Sequence, residues 1–486
     1  MLSKNMLSTF SGLAALLISG SIQAQQKNVL FIAVDDLRPE LGCYGHPVIK
    51  SPNIDRLASS GVRFTQAYCN IPVCGATRAS IMSGLRPNAS RFVNFDCRLD
   101  KDVPGVVSLP MHFKNNGYRT VSLGKIFHHQ DDSKGSWVTN WRPENPKGGS
   151  WRDYQLPENI AEDKGDRSRA LPYEKADVPD EAYFDGKIAA KAIAELQAAK
   201  KSGQPFFLAV GFLKPHLPFN APSKYWDLYP ESSIKLPDNM HKPKDAPDAA
   251  MHTFGELRAY SDIPPTGPVS NEMALKLIHG YYACVSYTDA QIGKVLKALE
   301  ESGLAENTII VLWGDHGWNL GEHGLWCKHC NFETSLHTPL IIRAPGHKSG
   351  IVADQLVEYV DVYPTLCDLT GLSKPFHLQG NSLTPLLNGD KPAWKDAVFC
   401  RWIKGETIIT KTHAYTEWYN QPGQPAYARM LFDHTKDAAE NMNISEKPEN
   451  SQLVEALQKR IAKHVAEREQ ILLPSGKDRI NLKPKL

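Results

Sequence analysis

Apolar and polar positions alternate between two periods along the chain. The run Asn28-Val29-Leu30-Phe31-Ile32-Ala33-Val34 is apolar at almost every position, the pattern of a strand buried on both faces of a parallel sheet. Residues 118–124, 205–212 and 308–313 repeat it. Between them lie stretches with helical spacing: 181–201, with Phe184, Ile188, Ala192 and Leu196 on one face, and the longer 271–302. Ser51-Pro52-Asn53 predicts a helix start, with Ser51 as cap, Pro52 at the first helical position and Gly61 closing the helix. This order predicts an α/β fold with a large, mostly parallel sheet flanked by helices.

The periodicity breaks twice, at 129–180 and at 220–270, where Trp, Pro, Gly, Asp and Lys predict long surface insertions. Beyond Gly371 the pattern turns irregular. Residues 398–402, 407–415 and 428–432 read as short strands and 451–469 as an amphipathic helix, so a smaller C-terminal α+β subdomain with a short antiparallel sheet is expected over 395–486. The catalytic domain is then expected over 25–394. Residues 1–24 carry Lys4, an apolar stretch at 13–18 and a small residue at Ala24, which reads as a secretory signal peptide and predicts an exported, periplasmic or secreted protein. No later apolar run reaches the roughly 18–20 residues that span a bilayer.

At 486 residues, 42% hydrophobic and 22% charged, the chain has room for a large core. A net charge of +2 argues against a generic nucleic-acid binder, so an anionic substrate has to be met by local basic groups. Nine cysteines are too sparse for a disulfide scaffold, and an odd number in an exported chain invites one functional thiol. Cys327-Lys328-His329-Cys330 resembles half a zinc site with no second half; a zinc or redox protein is the reading it offers.

In parallel sheets ligands bind outside the carboxyl ends of the strands. Four predicted strands end directly in useful chemistry: Asp35-Asp36, Lys125 with His128, His216, and Asp315-His316. Clustered carboxylates demand a cation, with calcium first and magnesium second. His128 and His216 are imidazoles, the side chain suited to acid–base work, and Pro215 and Pro218 brace His216. The stretch Cys74-Gly75-Ala76-Thr77-Arg78 places a thiol at a helix mouth with a guanidinium on the same face. A helix mouth favours an anion.

Cys74-Gly75-Ala76-Thr77-Arg78 resembles the modification motif of the type I sulfatases: Cys or Ser, any residue, Pro or Ala, any residue, Arg. The resemblance extends to Asp35-Asp36, Gly124-Lys125 with His128, Lys214-Pro215-His216, Gly314-Asp315-His316-Gly317 and Lys328, and is nearest to the iduronate-2-sulfatase branch. It implies an alkaline-phosphatase-like sandwich and oxidation of Cys74 to formylglycine (3-oxoalanine) by a maturation enzyme, the hydrate then being the nucleophile. It further implies a calcium ion held by Asp35, Asp36, Asp315 and His316 together with the converted Cys74. Arg78, Lys125 and Lys328 would surround the remaining charge, His216 or Lys328 would donate a proton, and His128 would accept one. Two departures stand out. Ala76 replaces the commoner proline, which bears on the choice between a formylglycine-generating and a radical-type maturation enzyme. His316 replaces the commoner asparagine, as in the iduronate branch.

The implied substrate is a 2-O-sulfated uronic acid in a sulfated polysaccharide or its oligosaccharides. Trp137, Trp141, Trp151 and Trp318 are candidates to stack on a sugar, and Arg142, Arg152 or Lys214 to pair with the uronate. Alternatives are a phosphodiesterase or phosphonate monoester hydrolase of the same superfamily, and a non-catalytic carbohydrate-binding protein.

Overall fold

The computed structural model describes residues 26–144, 151–165, 168–421 and 423–468; the signal-peptide reading and Glu469 lie outside them. Eight strands form the main sheet: β1 (Asn28–Val34), β2 (Val62–Tyr68), β3 (Arg119–Gly124), β4 (Thr139–Trp141), β5 (Phe206–Phe212), β6 (Thr308–Gly314), β7 (Leu340–Arg343) and β8 (Ile351–Glu358). Their order is β8-β2-β7-β6-β1-β5-β3-β4, and only β7 runs antiparallel to its neighbours. Strands β1, β5 and β6 are buried at every position, which is why their sequences are continuously apolar.

Successive side chains of a strand point to opposite faces, so β1 feeds two cores. Leu30, Ile32 and Val34 pack with the helices Phe184–Ser202 and Asn271–Glu301. Val29, Phe31 and Ala33 pack with the helices Cys74–Ser83 and Val362–Thr370. The expected layers, a mostly parallel sheet between helices, are present.

Several local expectations need correction. The first insertion is not all surface loop, because its Thr139–Trp141 segment extends the main sheet as β4. The second contains short helices at Ser223–Trp226 and Gly255–Arg258. The 407–415 stretch is two strands, Gly405–Thr410 and His413–Trp418, turning at Lys411-Thr412, where the Thr410 hydroxyl accepts the His413 N–H at 3.0 Å. With Ala397–Trp402 and Ala428–Asp433 they make a four-stranded antiparallel sheet, covered by the helix Ser451–Arg468 through Val454, Leu457 and Ile461. The opposite face of that sheet merges with the main core through Val398, Cys400, Ile409 and Ala414.

The helix Pro52–Ser59 begins as predicted, but Ser51 does not cap it with its side chain. Asp289, from the long helix, accepts the N–H groups of Asn53 (3.1 Å) and Ile54 (2.8 Å) instead. All nine cysteines are free thiols. Cys330 lies 3.0 Å from the Ser335 hydroxyl, and among the described residues no metal-binding group forms around Cys327 and Cys330.

Candidate functional site

Register explains how distant residues meet. Val34 lies opposite Phe212 and Gly314, and Gly124 lies opposite Gly211, so β6, β1, β5 and β3 end at one level. Asp315-His316, Asp35-Asp36, Lys214 to His216, and Lys125 therefore emerge side by side. Gly124, at φ +71°, lets β3 turn beside Gly211, where a Cβ would strike the β5 backbone. The Cys74–Ser83 helix follows β2 and aims its N-terminus at the same place. Gly75 is required there, since a side chain would run into the backbone of Phe95.

Arg78 sits at the base, fully buried. It donates from Nε to Asp315 Oδ2 (2.9 Å), from Nη2 to Asp35 Oδ1 (3.2 Å) and from Nη1 to the carbonyls of Lys125 and Ile126. Lys125 Nζ pairs with the other oxygen of Asp35. Burial opposes the charge of Asp35, but Lys125, His216 and Arg78 outweigh it and hold this acid well below the usual carboxylate range. Asp36 adopts φ +58°, and Tyr281 secures that turn by donating to the Asp36 carbonyl at 2.9 Å. Burial lifts Asp36 to about 6, against the pull of His216 and Lys328.

Asp35, Cys74, Asp315 and His316 each bring one donor atom within 4.8 Å of the others, and Asp35, Asp36 and His216 do the same. The Nδ1 of His316 meets the Gly317 carbonyl at 3.0 Å, whereas its buried Nε2 has no hydrogen-bond partner among the described residues and faces Asp36 Oδ1 at 3.4 Å. A buried imidazole nitrogen left open among carboxylates is a ligand position.

Cys74 faces a cleft of about 740 Å³, with Lys125, His128, His216 and Lys328 on its walls. Burial disfavours a thiolate here, but Lys125, Lys328 and His128 overcome it and draw the Cys74 thiol well below its ordinary range. Lys328 Nζ reaches both oxygens of Asp36 at 3.2 Å and lies 4.8 Å from the centre of the Trp318 ring.

Every predicted ligand, acid and base is thus gathered around Cys74. Trp318 is the exception. It is buried beneath Lys328 rather than lining the cleft, so it is not placed to stack on a sugar. Trp137 is also core, against Phe127 and Phe207. Arg152 is buried against Asp163, and Lys214 is buried with its Nζ donating to the His216 carbonyl at 3.1 Å; neither lines the cleft. Trp151 and Arg142 do line it, joined by Phe95 and Arg169. Sequence reasoning missed Glu256, which lies against His216 and Lys328. It comes from a loop-rich insertion, with no strand end before it to mark it.

Residues 27–372 match the family model described as "Sulfatase", and 321–467 match "N-sulphoglucosamine sulphohydrolase, C-terminal". The chain is 36% identical over 399 residues to the iduronate 2-sulfatase of Mus musculus, covering 73% of this chain and 71% of that protein. It is 34% identical over 474 residues to the Homo sapiens iduronate 2-sulfatase, covering 80% and 84%. Among solved structures, the phosphonate monoester hydrolase of Agrobacterium radiobacter superposes with a TM-score of 0.74 at 24% identity, covering 91% of this chain and 96% of that one. A 2-O GAG sulfatase superposes at 0.71 with 23% identity, covering 91% and 92%. These last two likenesses establish the alkaline-phosphatase-like fold.

Proposed function

The chain belongs to the sulfatase family and hydrolyses sulfate esters, and from that premise we propose that it is an exported enzyme that removes the 2-O-sulfate of a uronic acid residue. Its substrate is a sulfated polysaccharide or an oligosaccharide from one. The curated relatives named iduronate 2-sulfatase support this reading. The observation that carries it is a pair of guanidiniums on the cleft, Arg142 and Arg169. Among the described residues their hydrogen bonds go to backbone carbonyls, Arg169 also lies over the Tyr260 ring at 5.2 Å, and neither is paired with a carboxylate, so both can meet a substrate carboxylate. Trp151 and Phe95, 45% and 51% exposed on the cleft wall, offer flat apolar faces to a sugar ring.

Asp35, Asp36, Asp315 and His316 fit a hard divalent cation, calcium before magnesium: two buried donor groups share Asp35, and His316 Nε2, 3.4 Å from Asp36 Oδ1, has no hydrogen-bond partner among the described residues. When present, the cation supplies charge to the sulfate oxygens, and formylglycine made from Cys74 by a maturation enzyme supplies a hydrated aldehyde as nucleophile. The chain's own residues do the rest. Arg78 bridges Asp35 and Asp315, and with Lys125 and His216 it favours the ionised form of Asp35. Lys125 and Lys328 present ammonium groups to the sulfate. His128 shares the cleft wall with Cys74 and accepts a proton there. His216 faces the Leu217 carbonyl through Nδ1 and directs Nε2 toward Lys328, so one of these two groups protonates the departing sugar oxygen.

Sulfate release from a panel of defined sulfated disaccharides tests the reading. Release is expected from 2-O-sulfated uronate, and preference for an aryl phosphodiester over an aryl sulfate would overturn it. Mass spectrometry of the active protein should find Cys74 as an aldehyde; unmodified Cys74 in active protein rejects the nucleophile. Chelation should lower both turnover and the thermal midpoint, with calcium restoring both, and Asp315→Asn should abolish the calcium effect.

A further inference from the structure

Glu256 is the one acidic side chain of the 220–270 insertion that enters the cleft beside Cys74. Its carboxylate spans two groups: Oε1 lies 3.1 Å from His216 Nε2, and Oε2 lies 2.9 Å from Lys328 Nζ. Those two nitrogens are themselves only 3.4 Å apart. Lys328 is also held by Asp36 and by the Trp318 ring, and His216 by the Leu217 carbonyl at 2.7 Å. The backbone of Glu256 is fixed as well, since Arg169 donates to its carbonyl at 3.4 Å.

Charge makes this arrangement informative. Asp36 stands among the proposed cation ligands, so its negative charge is shared with that role. Two basic nitrogens 3.4 Å apart would then repel each other with no second counter-charge. Glu256 is the carboxylate that reaches both from the cleft side, and its side chain is 17% exposed, so the pairing is weakly screened by water.

We infer that Glu256 is a positioning residue that clamps His216 and Lys328 together as the proton-donating pair for the departing sugar oxygen. The inference rests on the reading of these two groups as donors. It assigns a task to the second insertion: carrying the counter-charge that keeps the donors in place.

Leaving-group chemistry tests it. A sugar oxygen leaves as a strong base and needs a proton, whereas 4-nitrophenolate leaves without one. With matured enzyme, Glu256→Gln should lower kcat on a saccharide sulfate about 10- to 100-fold, the usual cost of losing a partner that orients a working group. It should lower kcat on 4-nitrophenyl sulfate less than about 3-fold and leave KM nearly unchanged. Glu256→Asp, which keeps the charge, should recover part of the loss. The ratio of the two kcat values is independent of how much protein folds, so partial misfolding does not blunt the test. Equal losses on both substrates overturn the clamp and assign Glu256 a structural role. His216→Asn is run in parallel. If it shows the leaving-group-dependent loss and Glu256→Gln does not, the clamp is wrong and the donor reading stands. If neither variant shows it, both are wrong.

Discussion

Trp151 and Trp318 both lie against His216, with ring centres 5.3 and 6.4 Å away, yet they meet different media. Trp151 is exposed to the cleft, while Trp318 is buried under the Lys328 ammonium. Their substitutions should therefore separate binding from turnover. Trp151→Ala should raise KM for a saccharide sulfate by about 3- to 10-fold with kcat unchanged, the scale of one lost aromatic contact. Trp318→Ala should instead lower kcat and destabilise the protein by about 3–5 kcal/mol, because it empties a core site and removes the surface that orients Lys328. Steady-state kinetics with a thermal melt reads both. Composition cannot distinguish these two residues; only their burial does.

At the level of elements, the 52–59 helix depends on a partner far away in the chain. Its first free N–H groups point at Asp289, which arrives on the 271–301 helix. Asp289→Ala should cost about 2 kcal/mol, since it leaves buried donors unsatisfied, whereas Ser51→Ala should not remove a side-chain cap at all. Chemical denaturation of the two variants makes the comparison. Local pattern did predict where this helix starts, because Pro52 and the apolar spacing are local properties. The identity of the cap is not local, and the sequence offered the nearer serine. The 407–415 misreading has the same origin: a β-rich run looks like one strand until the polar Lys411-Thr412 turn is seen to reverse it.

For the whole molecule, the C-terminal sheet is tied to its closing helix by charge as well as by packing. Arg468 donates to Glu406 at 2.6 and 2.7 Å, and Arg401 joins at 3.2 Å. Burial alone would raise Glu406, but the two guanidiniums overcome it and hold the acid near 2, below its ordinary 4.5. A carboxyl depressed by folding adds stability above its unfolded value and loses it as pH falls. This contribution, on the order of 3 kcal/mol, is therefore full above about pH 4.5 and gone below about pH 2. Acid titration of Glu406→Gln should flatten that part of the stability curve relative to the parent chain.

The sequence by itself determined the α/β class, the central strands and the residues at their ends, because continuous burial and carboxyl-end chemistry are written locally in composition and spacing. The ordered set Asp35-Asp36, Cys74 to Arg78, Lys125, His216 and Asp315-His316 was likewise legible, since parallel strands bring their ends together. Tertiary structure alone decided which tryptophan faces the cleft, which arginines line it, and that Glu256 reaches His216 and Lys328 from the second insertion. These depend on how aperiodic segments pack and on which charges meet across large sequence separations. Neither property leaves a period in the chain.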